Sequence, residues 1–214
     1  MHQDEFENKI VMVTGAASGI GEAIAKAFLE QGAQVMVVDL DIVSLTNCFS
    51  GYPLALPLEQ DLTQEKAAEN IVNWLEENAG RLDILVNNAG RALPGEIGTT
   101  TDDMWQSMMD INVTAMFRLT RKALPLLKES KAGRIINLGS IMSDMAGPNF
   151  FAYGTTKHAV AGMTKSMSVD LGKYGITANY LQPGAIVTAL SKPFFDDEDF
   201  KKYWEGKAPV GRLG

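Results

Sequence analysis

A doubly wound α/β fold, in which helices cover both faces of a parallel sheet, is the fold class that this sequence predicts. Six short apolar runs recur along the chain, and helix-length segments separate them. Continuous apolar runs of this length are typical of parallel strands that are buried on both faces. Strand–helix alternation is typical of a doubly wound sheet. The 214 residues contain no repeat and no linker, which favours a single domain over 1–214.

The elements follow one another in a regular order. The predicted strands cover residues 10–13, 35–38, 54–58, 84–86, 135–138 and 177–181. The predicted helices cover about 19–31, 64–79, 102–129, 152–173 and 196–205. Ligands of such sheets bind beyond the carboxyl ends of the strands, so the residues directly after each apolar run are the functional candidates.

Composition and charge exclude several classes of partner. The chain carries 19 Lys and Arg against 26 Asp and Glu, and this acidic balance opposes a general affinity for nucleic acid or for an anionic membrane. No apolar run approaches the roughly 18 residues of a membrane span, and residues 1–10 are too polar for a secretory signal. Cys48 is the single cysteine, so we expect a reducing, cytoplasmic location. We expect no metal, because no metal-ligand spacing occurs.

A glycine-rich turn follows the first strand and opens the first helix. Residues 14–21 read TGAASGIG, and no Gly-Lys-Ser/Thr follows, so the turn is not a P-loop. Glycine lets the backbone approach a pyrophosphate, and the helix N-terminus supplies free N–H groups. The turn therefore predicts a dinucleotide site, with a purely structural turn as the alternative. The candidate residues are Gly15, Ser18, Gly19, Ile20 and Gly21.

Asp39 ends the second strand, about 20 residues beyond the glycine turn, where an acidic residue holds the adenosine ribose in dinucleotide folds. A 2′-phosphate at about 4 Å from this carboxylate costs about 4 kcal/mol per charge pair at an effective dielectric near 20. No Arg or Lys lies in the turn or beside Asp39 to offset that cost. We therefore expect NAD as the cofactor in preference to NADP. A solvated Asp at a strand end is the alternative.

Tyr153 and Lys157 are four residues apart at the start of a predicted helix, so they share one helix face. Ser140 precedes them, just beyond the fifth strand. The pKa of free tyrosine, about 10, is too high for a base at pH 7. An ammonium about 4 Å away would lower that pKa by about three units. We expect Tyr153 to act as general acid/base, Lys157 to lower its pKa and Ser140 to hydrogen-bond the substrate oxygen; an exposed Tyr–Lys pair is the alternative.

These motifs together resemble the short-chain dehydrogenase/reductase family. Its members carry TGxxxGIG, as at 14–21, then NNAG, as at 87–90, and PGxxxT, as at 183–188. The resemblance covers about residues 6–214 and implies a Rossmann-like fold. It also implies that this chain is an oxidoreductase.

The resemblance implies further cofactor contacts. Asp61 would meet the adenine amino group, although on the residues alone it is equally an N-cap for a helix that starts near Thr63. Small residues of NNAG would let the backbone approach adenosine, and PGxxxT would contact the nicotinamide carboxamide and the pyrophosphate; a plain turn is the alternative for each. The residues that the resemblance adds are Asp61, Leu62, Asn88, Ala89, Gly90, Pro183, Gly184, Ile186 and Thr188.

Asn112 completes the family's catalytic tetrad with Ser140, Tyr153 and Lys157, all in the family's order. In the family this Asn holds a water that links the active-site lysine to solvent. Asn disfavours helix interiors, so its position within 102–129 indicates a kink or a polar role. A satisfied structural Asn is the alternative.

The family resemblance also concerns assembly and length. Family members form dimers or tetramers through helices that correspond to 102–129 and 152–173, so we expect a homo-oligomer. The final stretch, PVGRLG at 209–214, leads in the family into one more helix and an edge strand, roughly 30 residues. We expect that helix–strand unit to be missing from this chain.

The predicted activity is hydride transfer between NAD(H) and a secondary alcohol or ketone. A 3-oxoacyl-thioester reductase of the same family is one alternative, and a non-catalytic dinucleotide-binding scaffold is another. We expect segment 189–204 to be a lid over an apolar pocket, although its apolar side chains suit a core or a subunit contact equally well. The pocket candidates are Met142, Met145, Phe150, Phe151, Leu190, Phe194 and Phe195.

Overall fold

A fully parallel, six-stranded sheet lies at the centre of the computed structural model, which describes residues 5–214. The strands are β1 Ile10–Thr14, β2 Gln34–Asp39, β3 Ala55–Glu59, β4 Ile84–Asn87, β5 Arg134–Leu138 and β6 Thr177–Leu181. They lie in the order β3-β2-β1-β4-β5-β6. The predicted doubly wound α/β class is confirmed, and every predicted strand is present to within one residue at each end.

Helices connect the strands and cover the sheet. They are α1 Gly19–Glu30, α2 Ile42–Phe49, α3 Ala67–Asn78, α4 Asp102–Met109, α5 Ala115–Glu129, α6 Phe151–Leu171, α7 Lys192–Phe195 and α8 Glu198–Glu205. The sequence analysis missed the short helices α2 and α7. Helix α2 had a readable signal, because Asp41 caps it and accepts hydrogen bonds from the Val43 and Ser44 N–H groups at 2.9 and 3.1 Å. None of the helices within 5–214 has both the length and the apolar character to cross a bilayer.

Alternating side chains of the central strands face two apolar layers, as expected for a sheet covered on both sides. Val11 and Val13 of β1 pack in the layer formed with α1 and α2. Met12, between them, packs in the layer formed with α3 and α5. Strand order reverses between β1 and β4, and this reversal opens a crevice at the carboxyl ends of the strands.

The predicted helix over 102–129 is in fact two helices, α4 and α5, joined by a π-helical turn at Asp110–Thr114. Asn112 lies inside this turn and is buried. Single π-turns within helices are frequent at functional sites. The helix is thus irregular at Asn112, where the sequence indicates a kink or a polar role.

The amino-terminal edge of the sheet is held together by Asp83, which directly precedes β4. Its carboxylate accepts hydrogen bonds from the Ile10 N–H at 2.9 Å and the Ser130 hydroxyl at 2.6 Å, and it pairs with Arg81 at 3.2 Å. Burial alone would raise the pKa of Asp83, but these donors and the Arg81 charge outweigh it, so the pKa is lowered. The charged form of this acid is thus favoured in the folded chain.

Candidate active site

The glycine turn between β1 and α1 is shaped by close backbone contacts. Gly15 has a φ of +64°, and a Cβ atom there would lie 2.8 Å from Ala89 Cα. Gly19 has a φ of +58°, and its Cβ would lie 3.2 Å from Thr188 Cβ. Both the backbone angles and the lack of space therefore require glycine. Gly21 packs inside the turn against the Gly15 carbonyl.

Hydrogen bonds tie the segment after β4 to the end of β1. The Asn88 Nδ2 donates to the carbonyls of Thr14 and Gly15, each at 2.9 Å. The Thr14 hydroxyl accepts from the N–H groups of Asn88 and Ala89, each at 3.1 Å. These bonds fix the two strand ends that border the crevice.

Asp39, at the end of β2, is half-buried and bonded to backbone. Its Oδ2 accepts from the Ala17 N–H at 2.8 Å, and its Oδ1 accepts from the Leu40 N–H at 2.7 Å. The carboxylate therefore braces the glycine turn while also lining the crevice. The alternative of a merely solvated Asp does not describe this geometry.

Asp61 caps a local turn rather than a helix. Its Oδ1 accepts from the Thr63 N–H at 2.9 Å and from the Thr63 hydroxyl at 2.7 Å. Helix α3 begins only at Ala67, so the interpretation of Asp61 as an N-cap for a helix near Thr63 is wrong. Asp61 and Leu62 both line the crevice.

Three adjoining cavities follow the carboxyl edge of the sheet. The nucleotide cavity, of about 630 Å³, lies over the glycine turn, Asp39 and Asp61. The central cavity, of about 150 Å³, contains Tyr153 and Lys157. The aromatic pocket, of about 100 Å³, lies beside Tyr153 and under α7 and α8. Gly90 and Thr188 line the first two cavities, Ser140 and Tyr153 line the last two, and Leu190 lines all three.

Most predicted site residues line these cavities. Those on the nucleotide cavity are Gly15, Ser18, Gly19, Ile20, Asp39, Asp61, Leu62, Asn88, Ala89, Gly90 and Thr188. Those on the central cavity include Ser140, Tyr153, Lys157, Pro183, Gly184 and Ile186. Gly21 and Asn112 line none of the three, because Gly21 packs within the turn and Asn112 is buried behind the site.

Ser140, Tyr153 and Lys157 converge on the central cavity from β5 and α6. Ser140 lies two residues beyond the end of β5 and caps a short 3₁₀ turn, its hydroxyl accepting from the Met142 N–H at 3.1 Å. The Lys157 ammonium is buried and donates to the Leu138 carbonyl at 2.7 Å. Its Nζ lies 5.6 Å from the centroid of the Tyr153 ring. All three groups are therefore near one small volume.

The acid–base properties of this trio differ from the sequence-based expectation. Burial raises the pKa of Tyr153, and the neighbouring Ser140 hydroxyl only partly opposes this. Burial also lowers the pKa of Lys157 to about 8. In the protein alone the pKa of Tyr153 is therefore raised rather than lowered as the sequence predicts, because desolvation dominates at both Tyr153 and Lys157.

Asn112 connects the π-turn to the active-site wall. Its Oδ1 accepts from the Arg91 N–H at 2.9 Å, and its Nδ2 donates to the Arg91 carbonyl at 2.9 Å and to Thr156 Oγ1 at 3.0 Å. The side chain is thus satisfied by protein atoms and holds the backbone just after NNAG against α6.

A buried polar pair links β4 to β5 just before the site residues. The Asn87 Nδ2 donates to Asn137 Oδ1 at 2.8 Å and to Thr120 Oγ1 at 3.1 Å. The Asn137 Nδ2 donates to Thr164 Oγ1 at 2.8 Å. These residues are all buried, so the strand ends are joined to α5 and α6 by satisfied hydrogen bonds.

The role of Ser191 was missed. The Ser191 hydroxyl donates to the Ile186 carbonyl at 2.6 Å and accepts from the Thr188 N–H at 2.8 Å. It therefore shapes the loop of PGxxxT, and a Ser three residues after Thr was a weak turn signal. Arg91, whose place directly after NNAG predicts a position near the nicotinamide, lines the nucleotide and central cavities.

The predicted pocket is largely present. Met142, Phe150, Leu190, Phe194 and Phe195 line it, together with Phe200 and Trp204 from α8. Two candidates were wrong. Phe151 is exposed and packs against Trp105 at 6.0 Å between ring centroids, and Met145 lies outside the lining.

Sequence comparison identifies relatives along most of the chain. A family model described as short chain dehydrogenase matches residues 9–199. Zerumbone synthase from Zingiber zerumbet is 35% identical over 202 residues, which cover 92% of this chain and 76% of that protein. A 3-oxoacyl-[acyl-carrier-protein] reductase from Vibrio harveyi is 34% identical over 214 residues, which cover 98% of this chain and 85% of that protein.

Comparison with solved structures also identifies relatives along the chain. RhlG from Pseudomonas aeruginosa, in an active-site complex with NADP, has a TM-score of 0.92 at 30% identity, covering 100% of this chain and 87% of that one. A 3-ketoacyl-(acyl-carrier-protein) reductase from Brucella melitensis, complexed with NADH, has a TM-score of 0.91 at 30% identity, covering 98% and 86%. The similar structures thus include complexes with either form of the dinucleotide.

Proposed function

This chain belongs to the short-chain dehydrogenase family of oxidoreductases, and we propose that it transfers hydride between NAD(H) and a secondary alcohol or ketone. The observation that carries the proposal is the central cavity. Ser140, Tyr153 and Lys157 line it, and Gly90 and Thr188 continue its wall into the nucleotide cavity. A proton-transfer group and a dinucleotide-sized cavity therefore adjoin.

The residues present fit a nicotinamide dinucleotide. The glycine turn leaves a cradle that a Cβ atom at Gly15 or Gly19 would fill, and the N-terminus of α1 faces it. The nucleotide cavity, at about 630 Å³, is within the usual size of a ligand site. Ser18, Asp39 and Asp61 would hold the adenosine half, while Ile186 and Thr188 would hold the nicotinamide half. When bound, this group supplies the hydride acceptor in oxidation and the hydride donor in reduction.

The chain's own residues handle the proton. In ketone reduction Tyr153 gives its hydroxyl proton to the carbonyl oxygen, and in alcohol oxidation its phenolate takes the hydroxyl proton back. Burial raises the pKa of Tyr153, so the protonated form that reduction requires is favoured at neutral pH. Ser140 donates to the substrate oxygen and stabilises the negative charge that develops there.

Lys157 supports the phenolate form electrostatically. At 5.6 Å from the Tyr153 ring centroid, a unit charge is worth about 3 kcal/mol at an effective dielectric near 20. Its bond to the Leu138 carbonyl fixes the ammonium in place. Asn112 is a positioning residue, since it holds Arg91 and Thr156 rather than lining a cavity.

NAD is the proposed form of the cofactor. The Asp39 carboxylate lines the nucleotide cavity and is held by the Ala17 and Leu40 N–H groups, so it cannot easily turn away from a 2′-phosphate. We expect kcat/KM with NADH to exceed that with NADPH by about a thousandfold, and Asp39→Asn to reduce this ratio. Equal use of both cofactors by the unchanged protein would contradict the preference.

Two alternative functions can be distinguished from this proposal by experiment. Reduction of a 3-oxoacyl thioester is supported by the similarity to the Vibrio harveyi and Brucella melitensis reductases. A non-catalytic scaffold would bind the dinucleotide and turn nothing over. Tyr153→Phe discriminates, because it should abolish turnover and leave NADH binding nearly unchanged. Purified protein that neither binds NADH nor converts any alcohol, ketone or thioester would contradict the proposal.

We propose that a single domain, 1–214, assembles into dimers or tetramers in the cytoplasm. Exposed Phe117 on α5 and Val169 on α6 support a subunit contact through these helices. The unpaired Cys48 supports a reducing compartment. Sedimentation of the purified protein tests the assembly, and a purely monomeric species would contradict it.

A further inference from the structure

The aromatic pocket is lined mostly by apolar side chains. Eleven of its fifteen lining residues are apolar, and six of these have large side chains that form one cluster: Met142, Phe150, Phe194, Phe195, Phe200 and Trp204. The polar side chains that reach it are those of Ser140, Tyr153 and Ser191, and none of its lining residues within 5–214 carries a charge. Because Ser140 and Tyr153 also line the central cavity, this pocket adjoins the atoms that would handle the substrate oxygen.

The six side chains are packed against one another rather than loosely gathered. The Phe150 ring lies 5.2 Å from the Phe194 ring and 5.8 Å from both the Tyr153 and Phe200 rings. Phe200 in turn lies 6.1 Å from Trp204. Edge-to-face and tilted contacts at these separations stabilise aromatic clusters. The cluster therefore presents a defined apolar surface to whatever lies beside Tyr153.

Backbone contacts hold the cluster in place. The Phe151 N–H donates to the Gly95 carbonyl at 3.0 Å, and the Gly95 N–H donates to the Asn149 carbonyl at 2.8 Å, so Phe150 is clamped from both sides. A Cβ at Gly147 would lie 3.2 Å from the Trp204 ring, so glycine there leaves room for the indole. Phe150 and Trp204 are only 6% and 4% exposed.

The volume of the pocket limits what it can accept. An apolar cavity of about 150 Å³ holds a benzene molecule, and this pocket measures about 100 Å³. The pocket therefore accepts a branched short chain, or part of a small ring whose carbonyl end lies in the adjoining central cavity, without moving α7 and α8. A carboxylate or a polyol would lose its hydration there without any ionic partner.

We propose that the substrate is an uncharged ketone, or the matching secondary alcohol, with one compact apolar carbonyl substituent that the aromatic pocket receives. This inference rests on the proposed function. Phe200 on α8 acts as a specificity-determining residue, because it contacts the Phe150, Phe194, Phe195 and Trp204 rings at once.

The first experiment compares substrates of similar shape and different charge. In 5-methyl-2-hexanone an isopropyl group replaces the carboxylate of 4-oxopentanoate, so the pair differs mainly in charge. With NADH we expect kcat/KM to favour the uncharged ketone by at least about a hundredfold, and we expect cyclohexanone to be reduced. With NAD⁺ we expect cyclohexanol to be oxidised and gluconate not to be. Equal or better turnover of 4-oxopentanoate or gluconate would overturn the proposal.

The second experiment removes one ring from the pocket. Phe200→Ala should raise the KM for cyclohexanone about tenfold with a smaller change in kcat, and should leave the dissociation constant of NADH unchanged. Tyr203→Ala is the matched control, since Tyr203 lies on the same helix, contacts Trp204 at 5.3 Å and does not line the pocket. Equal effects of the two substitutions would contradict a specificity role for Phe200.

A binding measurement separates failure of this inference from failure of the proposed function. Cyclohexanol should change the tryptophan fluorescence of the protein–NADH complex, and Trp204→Phe should remove that change. A fluorescence change without turnover of any substrate would contradict the proposed function and support the pocket. Turnover of charged substrates without a response to cyclohexanol would contradict the pocket and support the function.

Discussion

The amino edge and the carboxyl edge of the sheet, where the strands begin and end, each bury one ionisable side chain. The surroundings of the two side chains shift the balance between charged and neutral forms in opposite ways. Asp83 at the amino edge is 5% exposed, and Lys157 at the carboxyl edge is 6% exposed. Asp83 has two hydrogen-bond donors and the Arg81 guanidinium around its carboxylate. Lys157 has one neutral acceptor, the Leu138 carbonyl, for its ammonium.

The pKa of each group reports this difference. The donors around Asp83 outweigh its burial and lower its pKa, so folding favours the charged acid. Burial lowers the pKa of Lys157 to about 8, so folding opposes the charged base. A buried charge whose hydrogen bonds offset its desolvation stabilises the fold and has a structural role. A buried charge whose desolvation is not offset destabilises the fold, and such a charge indicates a functional site.

The largest expected effect comes from removing the buried charge of Lys157. Lys157→Met should lower kcat/KM by at least about a hundredfold, because an ammonium at this distance is worth about 3 kcal/mol to the phenolate. The same substitution should raise the free energy of unfolding at pH 7, since a desolvated charge disappears. Steady-state kinetics and thermal denaturation measure the two changes.

Lys165→Met is the control for this substitution, because Lys165 lies on the same helix and is exposed. We expect it to change neither quantity appreciably. A less stable but fully active Lys157→Met protein would contradict the functional role of Lys157, because its charge would then have a structural role like that of Asp83.

The pH dependence of stability provides the next effect. The folded-state pKa of Lys157, about 8, lies below its ordinary value of 10.5, so the unfolded chain retains the proton over a range where the folded chain has lost it. Stability therefore rises with pH between these values, by about 3 kcal/mol for this group. Denaturant unfolding of the unchanged protein and of Lys157→Met, compared at pH 7 and pH 10, isolates it; a constant difference would contradict the assignment.

Sequence reasoning identified the carboxyl edge far better than the amino edge. The glycine turn, NNAG and the four-residue spacing of Tyr153 and Lys157 are local patterns, so their positions were readable. Two of the three partners of Asp83 are not local: Ile10 and Ser130 lie 73 and 47 residues away along the chain. No spacing indicates such a cluster until strand order is known.

The same limit explains the errors within the site. The expected lowering of the Tyr153 pKa does not occur in the protein alone, because burial, which the sequence does not report, raises that pKa. Met145 and Phe151 are apolar and yet do not line the pocket. Asn87 and Asn137 meet only because β4 and β5 pair in register, which their individual sequence contexts do not indicate.

The amino edge offers a smaller effect of opposite sign. Asp83→Asn keeps the shape and loses the charge, so it should lower the free energy of unfolding at pH 7 by about 2 kcal/mol. The lowered pKa of Asp83 makes its contribution fully present above the ordinary value of 3.8 and lost as the pH falls through the folded-state value. Unfolding at pH 7 and pH 3 should therefore show the penalty shrinking in acid.

Exposed Asp103→Asn, on α4, is the matched control and should have little effect at either pH. Activity per folded molecule should survive Asp83→Asn, because this residue is at the far edge from the cavities. Loss of activity at full stability would show that the two edges are not independent.

The smallest effect lies between the two edges, at the buried polar pair. Thr164 and Thr155 are both on α6, and each donates its hydroxyl to the carbonyl four residues earlier, at 2.7 and 2.9 Å. Thr164 additionally accepts from the Asn137 Nδ2. Thr164→Val should therefore cost about 1 kcal/mol of stability by leaving a buried N–H group unpaired, while Thr155→Val should cost a few tenths at most. Equal losses, measured by denaturant unfolding, would mean that the hydrogen bond from Asn137 to Thr164 does not couple the Asn87–Asn137 pair to α6.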